Sequence, residues 1–433
     1  MSQNDNFSPG RRRLLLGAGA LTLAGTASWL RPSSADGGHG PYFQGLDDTL
    51  RQHGPYQPRL IIDRQRLLAN IDLLSQQLAG QFNYRIVTKS LPSLPLLKLV
   101  MARTGTRRLM VFHQPFLNQV ASALPDADVL LGKPMPVKAA RQFYHDLPAA
   151  SPGGFEPAHQ LQWLIDSPER LAQYDQLAAE LGLQLRINIE IDVGLHRGGI
   201  RAPAELVPML NHIEQSPRLS FAGFMGYEPH IVKAPGSVTW RRDQAMARYQ
   251  GFVDQAEQTL GRSIRNLTLN TGGSTTYTLY RDQHERFAAN EIAAGSALVK
   301  PTDFDLPTLA DHQPAAYIAT PVLKVVEPPE IPGIPGLGRL MGWWNPNRHK
   351  AVFIYGGDWK AVAESPAGLS PNPIYGRSTN QEMLNGSAAL ALQPDDWVFL
   401  RPSQSERVFL AFDGIDSYDG NDRRSHEHWP VLG

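Results

Sequence analysis

The chain has 433 residues, 42% hydrophobic and 19% charged, enough for a large core and two domains. Its 41 basic residues balance 41 acidic ones, so no net field supports general binding to nucleic acid or to a membrane surface. There is no cysteine, which excludes disulfides, thiolate catalysis and cysteine–zinc sites, and 38 glycines with 35 prolines point to many short elements rather than a helical bundle.

The N-terminus reads as a targeting segment rather than as part of the fold. "SPGRRRLLLGAGALTLAGTASWL" places Arg11–Arg13 directly before an apolar run of small residues from Leu14 to Leu30. That run has the length of a signal h-region and is marginal for a membrane span. The adjacent arginines resemble a twin-arginine export signal, which implies a protein that folds first and is then delivered to the periplasm, with no stable span after processing. An uncleaved membrane anchor is the alternative. Processing is expected in the polar linker "RPSSADGGHG", and residues 1–36 are set apart as signal and linker.

From residue 57 short apolar runs alternate with segments of helical spacing. The strand candidates are "RLIID" (59–63), "YRIVTKS" (84–90), "RLMVFHQ" (108–114), "DVLLGKP" (128–134), "LQWLID" (161–166), "LQLRINIEID" (183–192), "LSFAGFMGYE" (219–228) and "NLTLNTGG" (266–273). Between them, "RQRLLANIDLLSQQL", "SPERLAQYDQLAAEL" and "TWRRDQAMARYQGFVDQAEQTL" repeat apolar residues every three or four positions, and Ser167 with Glu169 marks the start of the second. Eight strands alternating with helices over roughly 250 residues match an α/β fold of the TIM type, a (β/α)8 barrel, here over 57–305. A doubly wound open sheet is the competing topology. After residue 305 strands such as "HKAVFIYGG" and "DWVFLRP" are separated by Pro/Gly-rich turns without long helices, so 306–433 reads as a C-terminal β domain.

In such a barrel the active site lies just past the C-terminal ends of the strands. Those positions hold Lys89, His113, Lys133, Asp192 to Arg197, Tyr227 to His230 and Asn270 to Thr276. A desolvated lysine loses its proton readily and becomes an amine fit for a Schiff base, whereas a lysine at a strand end commonly snorkels to solvent. "LNTGGSTTY" (269–277) supplies adjacent glycines and three hydroxyl residues, Ser274, Thr275 and Thr276, in the part of a barrel where phosphates bind. Gly-Gly-Ser is also an ordinary turn. Together with Lys89, the loop points to pyridoxal 5′-phosphate.

"IVTKS", "EIDVGLHRGGI" (190–200), "GFMGYEPH" (223–230), "NTGGSTT" (270–276) and "NEIAAGSALV" (290–299) resemble, in order and spacing, the barrel enzymes of the alanine racemase-like pyridoxal phosphate class. The closer resemblance is to its D-threonine aldolase and D-serine dehydratase branch, and "YGGDWKAVAESP" (355–366) and "LRPSQSE" (400–406) look like segments of that branch's β domain. The resemblance implies that Lys89 carries the cofactor and that Arg197 lies against its ring near the phenolic oxygen. It implies that Gly272, Gly273, Ser274 and Thr275 hold the phosphate, and that Glu291 falls near the segment facing the pyridine nitrogen. Arg197 paired structurally with Glu190 or Asp192 is the bland reading. Tyr227 and His230 are expected to line the substrate space, His230 either as a catalytic group or as a hydrogen-bonded residue orienting the loop. A homodimer is implied as well.

One departure matters. The branch holds a divalent metal with a His-x-Cys or His-x-Asp pair, where this chain has Gln404-Ser405-Glu406. Residues i and i+2 share a face of a strand, but a glutamine amide oxygen is a poor zinc ligand. Gln404 and Glu406 are therefore the metal candidates, with His426 and His428 of "SHEHWP" a remoter pair. Without a metal, a β-hydroxyl must be activated by a side chain such as His230 or His113. The expected activity is lyase chemistry at Cα of a D-amino acid, of aldolase or dehydratase type. The alternatives are an amino-acid racemase, whose second base among 13 tyrosines is not assigned, or a cofactor or amino-acid binding protein without turnover.

Overall fold

The computed structural model describes residues 31–148, 153–419 and 426–433, and the Arg11–Leu30 part of the expected signal lies outside them. The chain forms two compact units. One comprises Arg59–Ile318, Lys360–Val362 and Arg401–Gly433, and the other the residues up to Pro58 with Ala319–Trp359 and Ala363–Leu400.

The first unit contains a closed barrel of eight parallel strands. The strand β1 (Arg59–Asp63) precedes it, and the barrel runs through β2 (Asn83–Val87), β3 (Arg108–Val111), β4 (Asp128–Leu131), β5 (Leu161–Ile165), β6 (Leu185–Ile191), β7 (Leu219–Gly226), β8 (Thr268–Thr271) and β9 (Glu291–Ala294). Closure is made by β9 against β2, with Asn83 opposite Glu291 and Ile86 opposite Ala294.

The expected count of eight holds, but its membership changes. "RLIID" is not a barrel strand: β1 pairs in parallel with Gly414–Tyr418, Leu60 opposite Ile415. Asp63 ends β1 and accepts a hydrogen bond from the Arg66 amide, so the helix Arg64–Leu78 follows without a loop. The missing strand is "EIAA", four buried residues with no β-branched run beyond one isoleucine, too short and alanine-rich to show a strand period. That same pairing explains why the units do not divide at residue 305. Arg401–Gly433 belongs with the barrel, because Gly414–Tyr418 binds β1 and is in turn paired antiparallel with His426–Pro430.

The helices around the barrel follow their sequence pattern. In Arg64–Leu78 the buried apolar positions are Leu67, Ile71, Leu74 and Leu78, one face at helical spacing. Each such aliphatic side chain contributes about 1.5–3 kcal/mol by leaving water. Pro168–Leu181 starts where expected, with the Ser167 hydroxyl accepting from the Arg170 amide at 3.2 Å. Inside the barrel the packing is partly polar. The fully buried Arg85 of β2 binds Glu291 at 2.5 and 3.0 Å and Asp128 at 2.7 Å, and donates to the carbonyls of Leu109 and Asp128.

The second unit is mostly antiparallel sheet. Lys350–Tyr355 pairs with Gln381–Gly386 on one side and with Val322–Val326 on the other. Trp397 is fully buried there, and Arg51 bridges Asp47 and Asp396, each at 2.6 Å. Among the described residues no helix is long and apolar enough to cross a membrane.

Candidate active site

The mouth of the barrel opens into a cavity of about 520 Å³, lined wholly by residues of the barrel unit. Lys89 reaches it from a single 3-10 turn, Thr88–Ser90, directly after β2. The turn is fixed on both sides: the Thr88 hydroxyl donates to the Met110 carbonyl at 2.9 Å, and the Ser90 hydroxyl accepts from Ser296 at 3.0 Å. Lys89 Nζ donates to Glu406 Oε1 at 3.2 Å and stands 5.0 Å from the centre of the Phe112 ring. The amine is not desolvated as the sequence suggested, since the side chain is 42% exposed and its charge is met by a carboxylate.

Arg197 comes from the turn after β6. Asp192 organises that turn, accepting from the amides of Gly194 and His196 at 2.9 and 3.0 Å and pairing with the His196 ring at 2.6 Å. Gly199 has a φ of +87°, and a Cβ there would stand 2.8 Å from the Ile191 carbonyl carbon, so the return of the chain onto β6 requires glycine. With Asp192 engaged locally, Arg197 lies instead over the Tyr227 ring, its guanidinium carbon 5.0 Å from the ring centre.

Glu190 lines the same cavity and is 8% exposed; its carbonyl accepts from the Ile200 amide at 2.8 Å, and its carboxyl takes part in no hydrogen bond among the described residues. Burial pushes its carboxyl up to about 7, against the opposing pull of Arg197 and with the repulsion of Asp166 and Asp192. The folded chain therefore keeps this proton through a pH range in which the unfolded chain has lost it, and stability present in acid is lost as the pH rises through about 7. In chemical denaturation at about pH 8.5, Glu190→Gln is expected to be more stable than wild type by on the order of 3 kcal/mol, with little difference at about pH 4. Equal stabilities at the alkaline pH would show that the carboxyl ionises freely.

The loop after β8 places Gly272, Gly273, Ser274 and Thr275 on the cavity wall. A Cβ on Gly273 would fall 2.9 Å from the Tyr227 ring, so the missing side chain leaves room for the loop to close on that ring. No acceptor among the described residues takes the amide hydrogens of Gly273, Ser274 and Thr275, three consecutive donors of the kind that form an anion nest. The Ser274 hydroxyl accepts from the Gly295 amide at 3.0 Å. Thr276 does not join the nest, because its hydroxyl donates to Glu228 at 3.0 Å on the far side of the loop. Glu228 falls within the mouth positions Tyr227 to His230 but has no role that the sequence alone assigns; a carboxylate directly after an apolar strand is the signal that singles it out.

Three expected site residues lie elsewhere. Glu291 begins β9 and is not on the cavity wall: it is held by Arg85, by Arg108 at 3.1 Å and by Asn270 at 2.9 Å. A residue at the start of a parallel barrel strand cannot reach the mouth at the other end. His230 opens the short helix His230–Lys233, which turns its ring against Gly194, where a Cβ would stand 3.2 Å from Nε2. Its Nδ1 is buried without a partner among the described residues and burial lowers its pKa, while Lys233 reaches the cavity in its place. His113 caps the helix Gln114–Ala123 and packs on Phe116, 4.0 Å between ring centres.

Gln404 and Glu406 do reach the cavity, but not from one face of a strand. The strand ends at Pro402, Gln404 stands just before the short helix Ser405–Phe409 without a side-chain capping bond, and Glu406 lies in its first turn beside Lys89. His428 bonds Asp416 at 2.8 Å and Arg59 at 2.9 Å in the small sheet around β1. Among the described residues no group of three or more histidine, aspartate or glutamate side chains is placed to hold a metal ion.

Residues 62–303, more than half of the chain, match the family described as alanine racemase, N-terminal domain. The chain belongs to this family. No curated protein matches its sequence. Among solved structures it is similar to a D-threonine aldolase from Filomicrobium marinum, with a TM-score of 0.68 and 14% identity over 86% of this chain and 94% of that one. It is also similar to D-threo-3-hydroxyaspartate dehydratase from Delftia sp. HT23, with a TM-score of 0.61 and 16% identity over 87% and 97% of the two chains. An alanine racemase from Clostridium difficile 630 gives a TM-score of 0.63 and 14% identity over 86% and 98%. At these identities the likeness is one of fold, and family membership leaves the reaction open among aldol cleavage, dehydration and racemisation.

Proposed function

We propose that the protein binds pyridoxal 5′-phosphate through Lys89 and acts at Cα of a small D-amino acid, as a lyase of the aldolase or dehydratase kind. The observation that carries this reading is the meeting of Lys89 with the Gly273–Thr275 amides in one cavity. An aldehyde on a phosphate ester calls for both features, an amine for the aldehyde and converging donors for the phosphate. The residues fit: the missing Cβ of Gly273 lets the loop close on the Tyr227 ring while its next amides stay without an acceptor among the described residues, Arg197 is held over Tyr227, and about 520 Å³ suits a cofactor of this size with a small amino acid. When bound, this group withdraws electrons from Cα and so loosens the bonds around it.

The chain's own residues divide the remaining work. Lys89 holds or moves the proton at Cα on its side of the cavity, and Glu406 balances its ammonium at 3.2 Å. Arg197, on the cavity wall, would present a positive charge to the cofactor's phenolic oxygen, and Met110, Phe112 and Met225 form an apolar wall that excludes water. A divalent metal does not fit the residues at 404 and 406. One offers an amide oxygen, the other a carboxylate already facing Lys89, and no third donor joins them among the described residues. Racemisation is the second reading, favoured by Tyr227, the one tyrosine among the described residues that line the cavity.

Proton NMR of protein loaded with pyridoxal phosphate and given D-threonine in deuterated water tests the reading, with and without manganese. Glycine with acetaldehyde, or 2-oxobutanoate, is expected, with no gain from manganese. Exchange and epimerisation at Cα alone would establish the racemase. No change with any D- or L-amino acid would leave a protein that binds without turnover. We extend the reading to export by residues 1–36 to the periplasm and to a homodimer, which fractionation of cells and sedimentation of the purified protein check.

A further inference from the structure

Glu228 is fully buried, yet it stands next to a loop with three consecutive amides that no acceptor among the described residues takes. Burying a carboxylate costs several kcal/mol unless donors surround it, so its partners identify its purpose. Four donors converge on it, and all come from the stretch between Thr271 and Tyr280. Thr271 Oγ1 and the Gly272 amide donate to Oε2 at 3.0 and 3.3 Å, and Thr276 Oγ1 and Tyr280 Oη donate to Oε1 at 3.0 and 2.9 Å. These contacts bracket Gly273, Ser274 and Thr275 on both sides. Burial raises the carboxyl's pKa, and the four hydrogen bonds oppose that rise.

We infer that Glu228 is the positioning residue of the anion nest: it ties the end of β7 to both flanks of the loop after β8, so that the Gly273–Thr275 amides face the phosphate of the cofactor. This rests on the cofactor reading above. The arrangement separates two sets of donors in one short loop. The hydroxyls and the Gly272 amide turn inward to an anion that belongs to the protein, and the three amides between them are left for an anion that arrives. Without the inward anchor, a loop of adjacent glycines has no reason to keep three amides convergent, since glycine backbone is the least restricted of all.

The test compares two ligands that share the aldehyde and differ in the phosphate. Apoprotein is titrated with pyridoxal 5′-phosphate and with pyridoxal, following the visible absorbance of the lysine-bound form, and the ratio of the two affinities reads the nest alone. Thr276→Val with Tyr280→Phe removes both donors to Oε1 and changes no residue on the cavity wall. In this double variant, and in Glu228→Ala if it folds, the ratio is expected to fall roughly tenfold or more, with pyridoxal affinity nearly unchanged. Glu228→Gln is expected to recover much of the ratio. Its amide oxygen can accept from Thr271 and Gly272, and its amino group can donate to the two hydroxyls. A folded double variant with the wild-type ratio, or with both affinities reduced alike, would overturn the role of Glu228. Should wild type itself bind both ligands equally, the phosphate assignment of the loop falls and the inference falls with it.

Discussion

Alanine in place of Lys89 is expected to remove the visible absorbance of lysine-bound cofactor and to cut turnover by roughly 10³-fold or more, because one side chain is asked both to hold the aldehyde and to move the proton at Cα. Stability should hardly change, since the side chain is 42% exposed and its single ion pair, with Glu406, is partly solvated. The variant therefore separates chemistry from folding. Arginine at the same place is a useful companion: it keeps a positive charge for Glu406 but cannot be deprotonated, and is expected to be as inactive as alanine. Activity in Lys89→Ala comparable with wild type would sink the assignment. Loss of activity with the visible band intact would mean that another amine carries the cofactor.

At Glu291 the expected effect is on stability instead. Glu291→Leu leaves Arg85, fully buried, with only Asp128 and two carbonyls, and also strips a partner from Arg108 and Asn270. Removing one member of a buried charge network in this way costs about 3–5 kcal/mol. Denaturant unfolding measures it, and the double variant with Arg85→Met is expected to recover part of the loss. Cofactor affinity of the protein that remains folded should be close to wild type. The opposite pattern, a stable protein with an altered cofactor spectrum, would return Glu291 to the neighbourhood of the ring.

The two outcomes illustrate how far the residues spoke for themselves. Lys89, Arg197 and Tyr227 were legible because each follows a strand that shows its own period, and because position after a barrel strand already implies the mouth. Glu291 was misplaced for the same kind of reason in reverse. "NEIAAGSALV" does not show where its strand begins, and a shift of four residues along a parallel strand, at about 3.3 Å each, moves a side chain from the mouth to the base. His230 was a matter of two residues: Tyr227 remains on the cavity, whereas the turn into His230–Lys233 carries the imidazole away and brings Lys233 round. Glu228 was in plain sight, but four donors spread over ten residues of another loop are needed to show that it is satisfied rather than stranded.

By itself the sequence determined the local features: the alternation of short apolar runs with amphipathic stretches that makes a barrel, the lysine at a strand end, the double glycine in a hydroxyl-rich turn, and the absence of any thiol chemistry. All of these are periods or compositions within a few neighbouring residues, and the forces behind them act at that range. Only the tertiary structure decided that β9 rather than β1 closes the barrel, that the fully buried Arg85 is matched by Glu291 and Asp128, and that Glu406 meets Lys89 across 317 residues of chain. The alternation of a strand says which side chains face inward. It does not say which strand lies alongside or at what depth, because pairing and register are set by contacts with chain segments far away in sequence.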